Sequence, residues 1–168
     1  MTIIGTLDSR FSEATEPTDW QTAADVLTTA ELYWLTTVRS DGRPHVAPLV
    51  GVWVDGSFVF CTGPAEQKAR NLGHRAEVAV TTGVSTWNAG LDVVVEGSAE
   101  RVTGLATLSA LAAAYRAKYG DDWNFDSDDE VFDPEGEAAL VFRVLPDKVL
   151  AFAKSPHGQT TFKRFVHS

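Results

Sequence analysis

Residues 33–62, YWLTTVRSDGRPHVAPLVGVWVDGSFVFCT, contain the pattern that decides the fold. The segment is rich in β-branched and aromatic residues, which favour strands. Two turn signals, SDG at 40–42 and DG at 55–56, each favour a tight hairpin. The strands predicted around these turns are 33–38, 46–54 and 57–62. Two consecutive hairpins make a meander, so the segment predicts a mostly antiparallel sheet rather than parallel βαβ units.

Further elements are predicted on both sides of this meander. Thr18 or Asp19 can cap a helix, whose apolar positions are Ala23, Val26, Leu27 and Ala30. A second, amphipathic helix at 105–119 has its apolar stripe at Leu105, Leu108, Leu111, Ala112 and Tyr115. The other predicted elements are a short helix at 65–72 and strands at 77–82, 91–102 (with a bulge at Gly97), 139–145 and 149–152. Three segments are predicted to be irregular: a loosely tied arm at 1–17, a loop at 83–90 and an acidic loop at 121–130.

These elements predict a single domain over residues 1–168, mainly β with α additions. We expect about six strands to form an antiparallel barrel, with the 105–119 helix packed outside it. With 44% hydrophobic residues, the chain has enough apolar side chains for one core.

Composition disfavours several classes of partner and compartment. The formal net charge of −9 argues against nucleic acid and against anionic membranes as partners. A single cysteine excludes an internal disulfide and fits a reducing compartment. The N-terminal residues contain no apolar signal-peptide core, and no apolar run approaches the ~18 residues of a membrane span. We therefore expect a cytoplasmic protein.

The segment FCTGPAEQKARNL, residues 60–72, gives the strongest indication of a ligand site. A strand ends in the hydroxyl residue Thr62, a Gly-Pro turn follows, and a short helix opens with Lys68 and Arg70. Free N–H groups at the start of a helix and two basic side chains suit a phosphate. The alternative is an ordinary strand–helix junction with two solvated basic residues.

Four ordered segments resemble the pyridoxamine 5′-phosphate oxidase-like superfamily, which includes flavin and deazaflavin oxidoreductases. They are 36–39, 41–46, 58–62 and 67–72, and the tail at 161–165 resembles the aromatic and basic end of many members. The oxidases themselves carry Ser-Arg-Lys where this chain has Glu66-Gln67-Lys68. The resemblance implies an antiparallel split β-barrel of the FMN-binding type.

The resemblance also implies a cofactor, FMN or alternatively the deazaflavin coenzyme F-420, and the residues that bind it. Lys68 would hold the cofactor phosphate. The polar groups expected beside it are Gln67, Arg70, Asn71 and Thr62. The residues expected to border the flavin ring are Thr36, Thr37, Val38, Pro48 and Val50. Family sites lie at a dimer interface, so we expect a homodimer. The residues expected to face the partner's cofactor are Trp87, Asn88, Lys163 and Arg164.

The function implied is a flavin-dependent oxidoreductase that transfers hydride or electrons to a small organic substrate. No side chain is an obvious general acid or base, so the catalytic residues and the substrate stay open. The alternative is a non-catalytic protein that carries a cofactor or a haem-type ligand on the same fold.

Other candidate sites have weaker support. The four histidines are scattered without metal-ligand spacing, so no metal site is expected. Cys61 lies in an apolar strand and is expected to be a small core residue. The acidic run at 121–130 lacks the order of an EF-hand and is expected to be a solvated loop.

Overall fold

Nine antiparallel strands form one sheet in the computed structural model, which describes residues 3–163 and 165. The strands are β1 (Gly5–Leu7), β2 (Tyr33–Val38), β3 (Pro44–Leu49), β4 (Val52–Val54), β5 (Ser57–Thr62), β6 (Glu77–Thr82), β7 (Leu91–Arg101), β8 (Leu140–Lys154) and β9 (His157–Lys163). The helices are α1 (Trp20–Thr29), α2 (Gln67–Leu72) and α3 (Leu105–Tyr119), and a short 3₁₀ helix spans Asp121–Trp123. No helix within the described residues is long and apolar enough to cross a membrane.

β8 gives the sheet its split form. Along one edge it pairs with β7 over residues 142–153. Along the other edge it pairs first with β5, over residues 140–144, and then with β9, over residues 148–154. The main path of the sheet is β1–β9–β8–β7–β6–β2–β3, and β4 extends it from β5. The expected antiparallel split β-barrel with helical additions is confirmed.

The predicted interruption of β8 at Pro146-Asp147 is wrong, because the strand continues through these residues. Proline interrupts a strand when its missing N–H breaks the ladder, but a bulge tolerates it. The register of the β7–β8 pair shifts between Glu96 and Gly97, and Pro146 lies opposite Gly97. The predicted bulge lies at this position, but its extra residue is Asp147 of β8, since Glu96 pairs with Lys148 and Gly97 with Pro146. This irregularity explains why Pro146 fits.

Both predicted hairpins form, but the predicted strand at 46–54 is wrong. β2 pairs with β3 and β4 pairs with β5, so the chain changes partner between Leu49 and Val52. Gly51 lies at this change, where an added Cβ would be 2.3 Å from the ring of Phe58. At the second turn, Asp55 and Gly56 both have positive φ, at 50° and 73°, as a two-residue hairpin turn requires.

Two strands near the chain ends are absent from the sequence prediction. β9 lies in the basic, aromatic tail, and β1 lies in the segment predicted to be an arm. They pair with each other, with Gly5 opposite Phe162. Only Gly158, Thr160 and Phe162 of β9 are buried, so the strand has little of the apolar alternation that predicts one.

The core has two parts. The larger fills the barrel and includes Phe58 and Phe60, with Ala23 and Leu27 of α1 packed against it. Asp19 caps α1 by accepting a 2.8 Å hydrogen bond from the Gln21 amide, as predicted. The smaller part lies under α3, whose buried residues are Leu108, Leu111, Ala112 and Tyr115. Leu105 was expected in this stripe but is 50% exposed, because it begins the helix beyond the contact with the sheet.

Candidate functional site

The junction between β5 and α2 buries a lysine beside an anion. Thr62 ends β5 and is buried, and Lys68, in the first turn of α2, is only 9% exposed. The Glu66 carboxylate forms an ion pair with the Lys68 ammonium. Its other oxygen, Oε1, accepts a 2.9 Å hydrogen bond from the Gly63 amide. A buried charge needs a partner, and here the chain supplies one from a neighbouring residue.

The environment of Glu66 favours its charged form. Partial burial raises the pKa of this carboxyl, but the hydrogen bonds from Lys68 and the Gly63 amide outweigh burial and hold it below its usual range. A cation and a backbone N–H therefore converge on one anionic group, next to the Thr62 hydroxyl, which donates to the Gly63 carbonyl at 3.4 Å. The residue precedes α2 at the N-cap position, yet its side chain makes no capping hydrogen bond.

A hydrogen-bonded chain of polar side chains fixes α2 to β2. Gln67 Nε2 donates to Asn71 Oδ1 at 2.7 Å, and Asn71 Nδ2 donates to Thr37 Oγ1 at 2.8 Å. Asn71 and Thr37 are almost completely buried, at 1% and 0% exposure. The predicted residues Gln67, Asn71 and Thr37 are thus brought together, and two of them, Gln67 and Asn71, lie on the same short helix as Lys68. Across the hairpin from Thr37 lies His45, whose buried Nδ1 has no hydrogen-bond partner within the described residues.

The residues expected to border a flavin ring divide between two faces of the sheet. Alternation along β2 places Thr37 inside the barrel and Thr36 and Val38 outside. Pro48 lies on the same outer face, opposite Trp34 in the β2–β3 ladder. Val50 lies between β3 and β4 and packs against the core under α3. The outer face of the β2–β3 hairpin therefore carries Thr36, Val38 and Pro48 but not Thr37 or Val50.

The outer face of the β2–β3 hairpin exposes two large apolar side chains. Trp34 is 39% exposed and Val46, which faces Thr36 across the ladder, is 56% exposed. Neither residue is among the predicted site residues. The sequence pattern does indicate them, because both lie at even-numbered positions of the β2–β3 hairpin, whereas the odd-numbered positions face inward.

The remaining predicted site residues are not hydrogen-bonded to Lys68. Arg70 is exposed: two positions on a helix correspond to a rotation of ~200°, so Arg70 and Lys68 point to opposite sides of α2. Trp87 and Asn88 are exposed in the loop at 83–90, with Trp87 at 91% exposure. Lys163 is exposed at the end of β9, and Arg164 lies outside the described residues.

A second partly buried amine lies away from this junction. Lys118 on α3 donates to Tyr33 Oη at 2.7 Å and to the Gly51 carbonyl at 3.0 Å. Its Nζ also lies 4.8 Å from the centre of the Tyr33 ring and 5.1 Å from that of Tyr119. Burial lowers the pKa of Lys118 to about 8, although the Glu31 carboxylate opposes this. The environment of Lys118 could not be predicted from neighbouring residues, because Tyr33 and Gly51 lie far from it in the chain.

The thiol of Cys61 packs against the apolar core under α3, as expected for a small core residue. Burial raises the pKa of the Cys61 thiol to about 11, so it is uncharged at neutral pH and packs beside α3. In the part of the chain that the structure describes, no three His, Cys, Asp or Glu side chains are grouped in a way that could hold a metal ion.

Comparison with known proteins identifies the family. The family model described as Pyridoxamine 5′-phosphate oxidase matches residues 20–151, which is more than half of the chain. The chain belongs to the pyridoxamine 5′-phosphate oxidase family. No curated protein sequence matches this family member. The Lys68 junction and the β2–β3 hairpin both lie inside the matched residues.

Several solved structures share the fold of this pyridoxamine 5′-phosphate oxidase family member. A heme binding protein from Mycobacterium smegmatis has a TM-score of 0.70 at 19% identity, and the match covers 89% of this chain and 60% of that one. HutZ, a haem storage protein from Vibrio cholerae, has a TM-score of 0.58 at 18% identity, covering 80% and 90% of the two chains. An FAD-binding protein from Mesorhizobium loti has a TM-score of 0.59 at 19% identity, covering 95% and 98%. At these identities the similarity shows the fold alone.

Proposed function

We propose that this family member binds a flavin phosphate at the β5–α2 junction and works as a flavin-dependent oxidoreductase. The observation that supports the proposal is the convergence of the Lys68 ammonium and the Gly63 amide on one carboxylate, beside the buried Thr62 at the end of β5. A cation and a backbone N–H are donors that a phosphate monoester accepts from, and a neighbouring hydroxyl can turn to donate as well. The cofactor is FMN, with the deazaflavin coenzyme as the alternative.

The residues present fit such a group. The Lys68 side chain is only 11% exposed, so its ammonium would act as a positive charge in a fixed position for the phosphate. Gln67 and Asn71 hold α2 against Thr37 of β2, which fixes the position of Lys68 relative to the first hairpin. Thr36, Val38 and Pro48 would border the ring from the outer face of that hairpin. Arg70, exposed on the other side of α2, would contribute only long-range attraction.

The chemistry would come from the cofactor, and the chain would supply position and environment. When bound, a flavin supplies hydride or electron transfer to a small organic substrate. Cys61 and Tyr115 border the junction from the α3 side, and burial raises the pKa of both groups. Both therefore stay protonated at neutral pH and present neutral groups near the site.

A homodimer is part of the proposal. Trp34 and Val46 form an exposed apolar strip on the β2–β3 face, and Trp87 extends from the loop after β6. Apolar strips on otherwise polar surfaces are typical of interfaces, and a two-fold axis would place each strip against its copy. Lys163 and Arg164 would then come from the partner chain. Light scattering at micromolar concentration should give the mass of two chains, and a Trp34→Glu, Val46→Glu variant should give the mass of one.

A second candidate function is non-catalytic binding of a haem-type ligand. Two proteins of this fold are a heme binding protein and a haem storage protein. In this chain, His45 has a buried Nδ1 without a partner within the described residues. An imidazole nitrogen is a common axial ligand of haem iron.

The absorption spectrum and the mass of the co-purified ligand distinguish the two functions. If the proposal holds, the protein carries or takes up a yellow flavin that bleaches with reductant and regains colour with an acceptor substrate. Weaker FMN binding in Lys68→Ala, with riboflavin binding unchanged, would support the phosphate site. A haem spectrum that His45→Ala abolishes would instead support the second function.

A further inference from the structure

The Glu66 carboxylate occupies donors that the proposed function assigns to the phosphate of a ligand. It accepts from the Gly63 amide at 2.9 Å, and it pairs with the Lys68 ammonium. Each of these donors is one that the proposed function assigns to phosphate. These donors therefore suit an anion, and here that anion is the Glu66 carboxylate.

We propose that Glu66 is an internal competitor of the ligand phosphate, and that it sets how strongly this protein prefers phosphorylated ligands over unphosphorylated ones. This inference rests on the proposed function, because it concerns the same donors. A phosphate can take the Lys68 ammonium and the Gly63 amide only after the carboxylate has left them. The apparent affinity for any phosphorylated ligand is then the intrinsic affinity multiplied by the fraction of molecules in which the pair is open.

The geometry shows which partner would move. The Lys68 side chain is 11% exposed and enclosed by the protein, whereas the Glu66 side chain is 51% exposed. Glu66 makes no capping hydrogen bond to α2, so swinging it into solvent leaves the helix start unchanged. Two anions within a few ångströms of each other repel, so a bound phosphate would keep the Glu66 carboxylate turned away from Lys68 and into solvent. Lys68 stays in place and exchanges one anion for another.

Competition from Glu66 should not change the affinity for unphosphorylated ligands. Riboflavin has the flavin ring but no phosphate, so it can bind without opening the pair. Removing the charge of Glu66 should therefore change FMN affinity and leave riboflavin affinity as it is. Glu66→Gln suits this test, because the amide keeps the side-chain length and can still accept from the Gly63 amide.

The experiment compares wild type, Glu66→Gln and Glu66→Ala with the control variant Glu16→Gln. Glu16 is exposed in the N-terminal segment, and its substitution changes the net charge by the same amount. FMN and riboflavin are titrated into each protein, with flavin fluorescence as the readout. The shift of the unfolding temperature by inorganic phosphate is measured on the same four proteins. We expect Glu66→Gln to bind FMN at least about tenfold more tightly than wild type, the effect of one charge-assisted contact. Riboflavin should bind all four proteins alike, and Glu16→Gln should behave as wild type.

Several results would overturn the inference. One is FMN affinity that is equal or weaker in both Glu66 variants while Lys68→Ala still weakens FMN binding; the proposed function would then hold without the competition from Glu66. Another is an equal gain for FMN and riboflavin, which would show that Glu66 acts on the ring and not on the phosphate. If neither FMN nor riboflavin binds any of the proteins, the proposed function fails. The competition is then tested by the unfolding temperatures measured with inorganic phosphate. A rise in unfolding temperature with phosphate in the Glu66 variants but not in wild type supports the competition, and no rise in any of them refutes it.

Discussion

The amide of Asn71 in α2 donates a 2.8 Å hydrogen bond to the hydroxyl of Thr37 in β2, and both side chains are buried. This hydrogen bond connects α2, which carries Lys68, to β2. Because neither group reaches water, removal of one of them leaves a buried polar atom of the other without this partner.

Asn71→Leu should therefore destabilise the fold. It leaves the Thr37 hydroxyl without its donor and Gln67 without its acceptor, which costs about 1–3 kcal/mol of unfolding free energy. Urea unfolding measures the loss. In a Thr37→Val background the same substitution should cost clearly less, because the partner is already gone. Equal costs in both backgrounds would show that the bond contributes nothing specific.

Lys68 and Arg70 should differ sharply in flavin binding. Lys68→Ala removes a buried charge-assisted contact and should weaken FMN binding by about 1.5–3 kcal/mol, or about 10- to 150-fold. Arg70→Ala should weaken it by less than about fivefold, because an exposed ion pair contributes under about 1 kcal/mol. Riboflavin should bind both variants as it binds wild type. Unchanged FMN affinity in the double variant would remove the phosphate site from this junction.

Gly97→Ala should be among the most damaging small substitutions in the sheet. An added Cβ would lie 2.0 Å from the backbone carbonyl oxygen of Leu145, and backbone on both sides of the bulge cannot move aside easily. We expect a loss of at least about 1–3 kcal/mol. Gly136→Ala is the matched control, since its nearest atoms are 3.8 Å away, and it should change stability by less than about 0.5 kcal/mol. Similar midpoints in urea for the two variants would contradict the bulge geometry.

The contribution of Lys118 to the free energy of unfolding should increase with pH above about pH 8. Burial lowers its pKa to about 8 in the folded state, below the ordinary value of 10.5, so the unfolded chain binds more protons between these values. Its contribution to stability therefore rises as the pH increases from about 8 towards 10.5. Cys61, Tyr33 and Tyr119 have raised pKa values and act in the opposite direction, so the comparison must be with a variant.

The variant is Lys118→Met. The Gly51 carbonyl keeps its 2.8 Å hydrogen bond from Tyr119 and the Tyr33 hydroxyl still donates to Leu27, so no buried group loses its last partner. The unfolding free energy of wild type relative to Lys118→Met should increase between pH ~8 and ~9.5 by on the order of 1 kcal/mol, after discounting for partial exposure. A flat or falling difference would show that Lys118 is not desolvated.

Features set by neighbouring residues could be predicted from the sequence, and features set by distant contacts could not. Both hairpins follow from their turn residues, and the Asp19 cap follows from its position before an apolar stripe. The interruption at Gly51 could not be found this way, because it depends on the Phe58 ring and on Tyr119, whose hydroxyl accepts a 3.1 Å hydrogen bond from the Gly51 amide. β9 was missed because its inward positions include glycine and threonine, which carry little apolar signal.

The candidate site shows the same division. The segment 60–72 was located from its sequence, but the burial of Lys68 against the Glu66 carboxylate was not predicted. Arg70 was expected beside Lys68, although helical geometry alone places residues two apart on opposite sides. Glu66 was overlooked as a ligand of Lys68, since it lies just outside the helix and the usual spacing rules for helical ion pairs do not apply to it.

The continuous course of β8 has a consequence for how the molecule opens. Its residues 142–144 and 148–153 have a hydrogen-bonded neighbour on each side, and the strand contributes Val144 to the barrel core and Val141 to the core under α3. Neither of the two cores can therefore unfold while β8 stays paired within the other. Amide protons at the centre of β8 should accordingly exchange with solvent only through global unfolding, more slowly than those of β1, β3 or β4, which pair on one edge alone. The two cores would then melt in a single cooperative transition.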